Sequence, residues 1–211
     1  MATDRKPAIG IIGVGRLGTV VAKLALRAGY TVRIINSKSP ETLLLIISVL
    51  LPGAIAAPVE DVIRRSEVIV LAIPLHKYRA LTPELFRNKI VIDAMNYWPS
   101  TEGNISEFED AASSSEYIQS YLSGAKVVKA LSHVAYHELE EHSLLLGNPK
   151  RRALALAGND KDAKAAVGKF ISDIGFDPVD IGELANGKKF QPDTKLFNIR
   201  YSADEMRKVS G

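Results

Sequence analysis

Three glycines at fixed spacing, Gly13-Val14-Gly15-Arg16-Leu17-Gly18, follow the apolar run Ala8-Ile-Gly-Ile-Ile12. A short apolar run ending in glycine is the pattern of a strand buried on both faces of a parallel sheet. After the glycines, Leu17, Val20, Val21, Leu24 and Ala28 recur at helical spacing, and Gly29 stops the helix. Each glycine has its own task in such a strand–turn–helix. Gly13 permits the tight exit from the strand, Gly15 lets the backbone approach a pyrophosphate, and Gly18 lets the helix pack closely on the sheet. The helix N-terminus then turns unpaired N–H groups and the positive end of its dipole toward the phosphates.

The alternation continues. Thr31 to Ile35 reads as a second strand. Pro40-Glu41 opens a helix holding the nearly uninterrupted apolar run Leu43 to Leu51, which is expected to be buried and followed by a short strand over 54–57. Val68 to Ile73 is the clearest strand. Pro74 ends it, a helix is expected through Leu85, and Lys89 to Asp93 is the next strand. This order implies parallel strands joined by right-handed crossovers, hence an α/β, Rossmann-type doubly wound sheet. Trp98 to Ser115 reads as loop, with Ser113 to Glu116 capping a following helix. Beyond it, 126–130 and 153–157 read as strands, Asp160 caps a helix ended by Gly175, and Phe176 to Ile181 is a last strand. The expected division is a nucleotide-binding domain over 1–124 and a small C-terminal α/β portion over 125–211.

Composition removes several alternatives. With no cysteine, disulfides, iron–sulfur clusters and thiolate zinc sites are excluded, so redox chemistry needs a bound cofactor. A net charge of +3 without a basic stripe argues against nucleic acid. The run at 43–57 is broken by Pro52-Gly53 and is shorter than the ~20 residues of a membrane span. The polar start, Met1 to Pro7, lacks a signal-peptide core, so a cytoplasmic protein is expected.

The second strand ends Ile35-Asn36-Ser37-Lys38-Ser39. The acid that would accept hydrogen bonds from a ribose 2′-hydroxyl is missing there. Asn36 leaves room for a 2′-phosphate, Ser37 and Ser39 bring hydroxyls and Lys38 a cation, which points to NADP(H) over NAD(H).

Several stretches together resemble the F420-dependent NADP oxidoreductase family: Gly10 to Gly18, Asn36 to Glu41, Asp93-Ala-Met-Asn-Tyr-Trp98, Lys129-Ala-Leu-Ser-His-Val-Ala-Tyr-His137 and Gly175-Phe-Asp-Pro-Val-Asp180. The resemblance implies a homodimer in which a cleft between the two portions carries hydride between NADPH and coenzyme F420 or a flavin-like acceptor. It implies that Gly15 to Gly18, Ser37 and Lys38 hold the NADP phosphates, and that Ala72-Ile73-Pro74 and Asn96 line the nicotinamide side. The chain departs from the family in its very apolar second helix and in Lys38, where arginine is common. Alternatives are an NADP-dependent dehydrogenase of a small carbonyl or imine, and a non-catalytic NADP(H)-sensing module. The carbonyl or imine reading needs a proton donor, for which His133, His76 and Tyr97 are candidates.

His133 and His76 are also the candidates for lining the acceptor cleft, and Tyr97 and Trp98 either stack on a planar acceptor or pack the junction. His133 and His137 share a face if their segment is helical, with His142, Glu138, Glu140 and Glu141 nearby, but the spacing is not that of a metalloprotease and no metal is expected. Pro149-Lys-Arg-Arg152 reads as a basic turn.

Overall fold

In the computed structural model the alternation resolves into one sheet with helices on both faces. The structure describes residues 6–36, 40–103, 105, 108 and 113–210. The strands are β1 (Ile9–Ile12), β2 (Val32–Ile35), β3 (Ile55–Ala56), β4 (Val68–Leu71), β5 (Ile90–Asp93), β6 (Lys126–Ala130), β7 (Ala153–Gly158) and β8 (Asp177–Asp180). Among the described residues they form an eight-stranded sheet in the order β3-β2-β1-β4-β5-β6-β7-β8. Neighbours are parallel throughout except β6 and β7. The chain leaves β1 toward β2 and returns at β4 on the other side of β1, so the switch point lies between β1 and β4. Because β7 runs against β6, its start lies at the same edge as the carboxyl ends of β1 to β6.

The helices are α1 (Arg16–Arg27), α2 (Leu44–Leu50), α3 (Val59–Arg64), α4 (Pro99–Glu102), α5 (Ser114–Tyr121), α6 (Tyr136–Glu141), α7 (Lys161–Asp173) and α8 (Ala203–Ser210). On one face Val21 and Leu24 of α1, Leu139 of α6 and Phe170 and Ile171 of α7 cover Ile9, Ile11, Val70 and Leu154. On the other, Val62, Ile63, Phe86 and Ile118 cover Ile69, Leu71 and Val127. The Ala-Leu-Ala-Leu-Ala run of β7 obeys the two-residue strand period. Its leucines meet α7, and its alanines fit beneath Phe190, Leu196 and Met206. Two caps fall where the sequence puts them: Ser113 Oγ accepts from Ser115 N–H at 3.3 Å, and Asp160 Oδ1 from Ala163 N–H at 2.8 Å.

Three expectations are corrected. The apolar helix is not buried. Leu43 and Leu51 at its ends are, but Leu44, Leu45, Val49 and Leu50 are 45–74% exposed. The helix packs beside the two-residue edge strand β3, where no further layer covers its outer side. The segment after Pro74 is two 3-10 turns, Leu75–Ala80 and Pro83–Phe86, because Pro83 forces the residue before it out of the helical region. The stretch from Trp98 is not all loop, since Pro99–Glu102 forms α4; after β8 the chain holds a 3-10 turn, Leu184–Phe190, and α8, in which Met206 is buried.

The turn from β1 to α1 fixes the whole edge. Gly13 has φ 105°, and a Cβ there would collide with the Ala72 carbonyl. Gly15 has φ −85° and nothing within 4 Å of a Cβ. Gly13→Ala is therefore expected to cost about 3 kcal/mol from left-handed strain plus overpacking. Gly15→Ala is expected to leave urea unfolding unchanged; equal destabilisation by the two would refute this account.

Candidate dinucleotide site and acceptor cleft

Gly13 to Gly18 occupies the carboxyl end of β1. Gly13 N–H donates to Ile35 O at 2.8 Å, tying the turn to β2, and a Cβ on Gly18 would collide with the Gly13 carbonyl. Gly15 is the N-cap of α1, and its carbonyl accepts the first helical bond from Thr19. The helix has no side-chain cap and no acid in its first turn, unlike α5 and α7. Its first N–H groups have no intrahelical partner, and the space beside Gly15 is open. These features fit a pyrophosphate. A cavity of about 530 Å³ adjoins the loop, lined by Gly15, Arg16, Leu50, Tyr136 and Glu140. The Arg16 guanidinium lies 5.5 Å from the centre of the Tyr136 ring.

Asn36, half-buried, directly follows β2 at this edge, and no acid stands in its place. Ser37, Lys38 and Ser39 lie outside the described residues. Ala72 is tied to β1 by its N–H to Ile12 O, 2.9 Å, which brings Ala72 to Pro74 beside the glycine turn.

A second cavity, about 310 Å³, opens between the carboxyl ends of β1, β5 and β6. Leu17, Trp98, Leu131, Val134, Tyr136 and Phe197 supply its largely apolar wall. Two polar groups stand out in it. Asn96 Nδ2 donates to Ser132 O at 2.6 Å, which orients the amide and leaves Oδ1 without a partner. Ser132 Oγ, on a residue 4% exposed, also lacks one. The chain reaches Ser132 through Leu131 at φ 64°, a left-handed conformation that is costly for leucine.

The histidines do not converge on this cavity. His133 is 1% exposed and packs on Phe190, so it does not line the cleft; its Nε2 accepts from Ala155 N–H at 3.1 Å. Burial, with the charges of Arg152 and Lys129, lowers its pKa to about 3. His76 is half-exposed, and its Nδ1 lies 2.8 Å from Glu102 Oε1. Glu102 also accepts from Trp98 N–H, so it joins the loop after β4 to the one after β5. Burial would raise the Glu102 carboxyl, but these hydrogen bonds outweigh it and hold it below its ordinary value. The Tyr97 hydroxyl donates to Gly103 O and accepts from Ile105 N–H, which makes Tyr97 a packing residue. Trp98 meets Phe197 edge-on at the cavity rim. His133 precedes α6, so it shares no helix face with His137, and among the described residues no three metal-ligating side chains cluster.

Buried charges are what the sequence reading missed. Arg151 and Arg152 lie past the turn at 149–150 and are 4% and 1% exposed. Arg151 pairs with Asp177 at 2.7 Å, and Arg152 with Glu138 at 2.9 Å and Ile199 O at 3.0 Å. Lys129 and Asp93 are fully buried opposite each other in β6 and β5. The sequence signal was present: a lysine inside Val-Val-Lys-Ala and an aspartate closing Ile-Val-Ile-Asp.

A switch-point crevice with an uncapped glycine-turn helix is the arrangement in which Rossmann-type folds bind a dinucleotide. Residues 8–97 match the model of the family described as NADP oxidoreductase, coenzyme F420-dependent, and the resemblance read from the motifs holds over that stretch. Across most of its length the chain is similar to a hypothetical protein from Sinorhizobium meliloti, with 28% identity, TM-score 0.80, and 92% and 94% of the two chains covered. It shares its fold with a candidate F420-dependent NADP reductase from Arthrobacter sp. FB24, at 22% identity, TM-score 0.73, and 93% and 99% covered. It is 24% identical over 190 residues to the metalloreductase STEAP3 of Rattus norvegicus, covering 88% of this chain and 36% of that one. The chain thus spans about a third of the curated relatives it matches. Among the described residues no helix is long and apolar enough to cross a membrane.

His133 carries a pH dependence of stability. Its pKa is about 6.5 unfolded and about 3 folded, so the neutral form is favoured in the fold. The contribution is fully present above pH 6.5 and is lost as pH falls toward 3. Between pH 7 and pH 5 the protein is expected to lose about 2 kcal/mol by urea unfolding. His133→Gln, which keeps an acceptor for Ala155 and does not titrate, is expected to lose much less; matching losses would overturn the assignment.

Proposed function

We propose that the protein transfers hydride between NADPH and a deazaflavin (coenzyme F420) or flavin-like acceptor. The observation that carries this reading is the second cavity: apolar and aromatic walls, with an orphaned amide oxygen on Asn96 and an orphaned hydroxyl on Ser132. That pair complements a carboxamide, since Asn96 Oδ1 accepts from its NH₂ and Ser132 Oγ donates to its carbonyl. NADPH, when bound, supplies the hydride. Gly13, Val14, Gly15, Arg16, Leu17 and Gly18 hold its pyrophosphate, Asn36, Ser37 and Lys38 its 2′-phosphate, and Ala72, Ile73 and Pro74 its ribose. Residues 125–211 complete the acceptor side of the cleft, and the two portions act as the domains 1–124 and 125–211.

Hydride transfer between stacked rings asks the protein for position and exclusion of water, and the reduced ring takes its proton from solvent. The placement of the three proton-donor candidates supports this chemistry over carbonyl or imine reduction. His133 is buried and neutral, His76 is held by Glu102, and the Tyr97 hydroxyl is occupied. Tyr136 is the phenol among the residues lining the cavity, so Tyr136→Phe separates the two readings. It should leave transfer to F420 within about twofold, whereas a carbonyl reductase relying on general acid catalysis would lose 10²- to 10⁴-fold.

Titration of nicotinamide fluorescence should give tighter binding for NADPH than for NADH, and added F420 should abolish the 340 nm absorbance. Asn36→Asp should weaken NADPH binding at least tenfold, about the worth of one charge-assisted hydrogen bond. Unchanged selectivity would refute the 2′-phosphate site, and tight binding without turnover would favour the sensing module. The apolar outer side of α2, together with the resemblance, supports a homodimer. Sedimentation should give twice the 22.9 kDa chain mass, falling to one chain in Leu45→Glu.

A further inference from the structure

The fully buried pair Asp93–Lys129 has no place in the hydride-transfer reading above. Replacing such a pair by apolar residues is often neutral or stabilising, so stability alone does not account for it. Its hydrogen bonds show where it acts. Asp93 Oδ1 accepts from Met95 N–H at 3.0 Å, and Lys129 Nζ donates to Met95 O. Both backbone groups of Met95 are thus held by one ion pair, whose own contact is 3.4 Å. Ser115 Oγ, from the first turn of α5, donates to Asp93 Oδ2 at 2.5 Å and fixes the carboxylate. Gly187 closes the site: a Cβ there would lie 3.2 Å from Lys129 Cγ and 3.0 Å from Ser113 Oγ.

The location is informative. Asp93 and Lys129 are the last register partners of β5 and β6. Past them the β5–β6 ladder stops, yet three residues past Asp93 is Asn96, and three residues past Lys129 is Ser132. Side chains take over from the ladder where the two strand ends must stay in register to present an amide and a hydroxyl to the same cavity.

We infer that Asp93 and Lys129 are positioning residues, an ion-pair clamp that holds the Met95–Asn96 turn so that Asn96 Oδ1 meets the carboxamide of a nicotinamide. The inference rests on the reading of Asn96 and Ser132 given above. A single Lys129 variant would strand a buried carboxylate and unfold the edge. The test is therefore the neutral double variant Asp93→Asn/Lys129→Met, with Ser115→Ala as a milder second variant and circular dichroism to establish folding.

Dissociation constants are measured for NADPH and for 2′-phospho-ADP-ribose, which lacks the nicotinamide. The clamp predicts that the double variant binds NADPH about tenfold more weakly, roughly one hydrogen bond, while 2′-phospho-ADP-ribose is unaffected. Ser115→Ala should shift NADPH in the same direction by a smaller factor. Asn96→Ala should reproduce the tenfold loss, and adding it to the double variant should cost nothing more, since both act through one contact. Equal weakening of both ligands by the double variant would reduce the pair to a structural role and overturn the inference, as would additive losses. If Asn96→Ala alone fails to separate the two ligands, the reading of the cavity fails first and the clamp with it.

Discussion

Three backbone segments meet without side chains between them at the carboxyl edge of the sheet: the Ala72 carbonyl, Gly13 and Gly18. A Cβ on Gly13 would strike the first, and a Cβ on Gly18 would strike the Gly13 carbonyl. This stack seats the start of α1 directly over the switch point, where β1 and β4 send their connections in opposite directions. The open end of α1, the course of Ala72 to Pro74 and the depth of the crevice all follow from that approach. It is a steric constraint before it is a binding site, and Gly15, which has no such contact, is the glycine left free for a ligand.

The parts of this arrangement carried by backbone and periodicity were legible in the sequence. The strand–glycine–helix pattern, the alternating β7 run and the capping Ser113 and Asp160 all translate local rules directly into structure. The errors share a physical origin in tertiary context. Apolar composition at 43–51 signalled burial, but whether a helix is covered depends on its place in the sheet order, and β3 is an edge strand. Arg151 and Arg152 read as solvated because arginine usually is. Their burial depends on Asp177, Glu138 and a row of carbonyls that only folding gathers. His133 is next to the cleft in sequence terms, one residue from Ser132, yet it packs on Phe190 and bonds to Ala155 of β7, contacts that only the folded sheet supplies.

The buried cations are not scattered. Lys129 lies one residue before the end of β6, and Arg151 and Arg152 precede β7, the strand that runs antiparallel to it. The reversal brings the start of β7 to the carboxyl edge, and the two arginines satisfy what the reversal leaves open. Arg152 ties α6 to the segment at Ile199, and Arg151 ties the ends of α6 and α7 to β8. Arg152 and Lys129 lower the pKa of His133 further than burial alone would, and so keep a neutral ring in a core that already holds several charges.

Chemistry that needs no side-chain acid shifts the burden from titrating groups to position. Effective concentration between two rings falls away with small displacements, so whatever fixes the strand ends fixes the rate. At this edge part of the fixing is done by groups outside the cavity, Glu102 joining the loops after β4 and β5 and the Asp93–Lys129 pair holding Met95, and part by the bond from Asn96 to Ser132 on its wall. A search for catalytic residue types passes over these positions, because their contribution is to backbone placement. For the hydride transfer proposed above, the polar groups that matter most are then the buried ones that hold the chain still, and the cavity itself offers an orphaned amide oxygen and an orphaned hydroxyl.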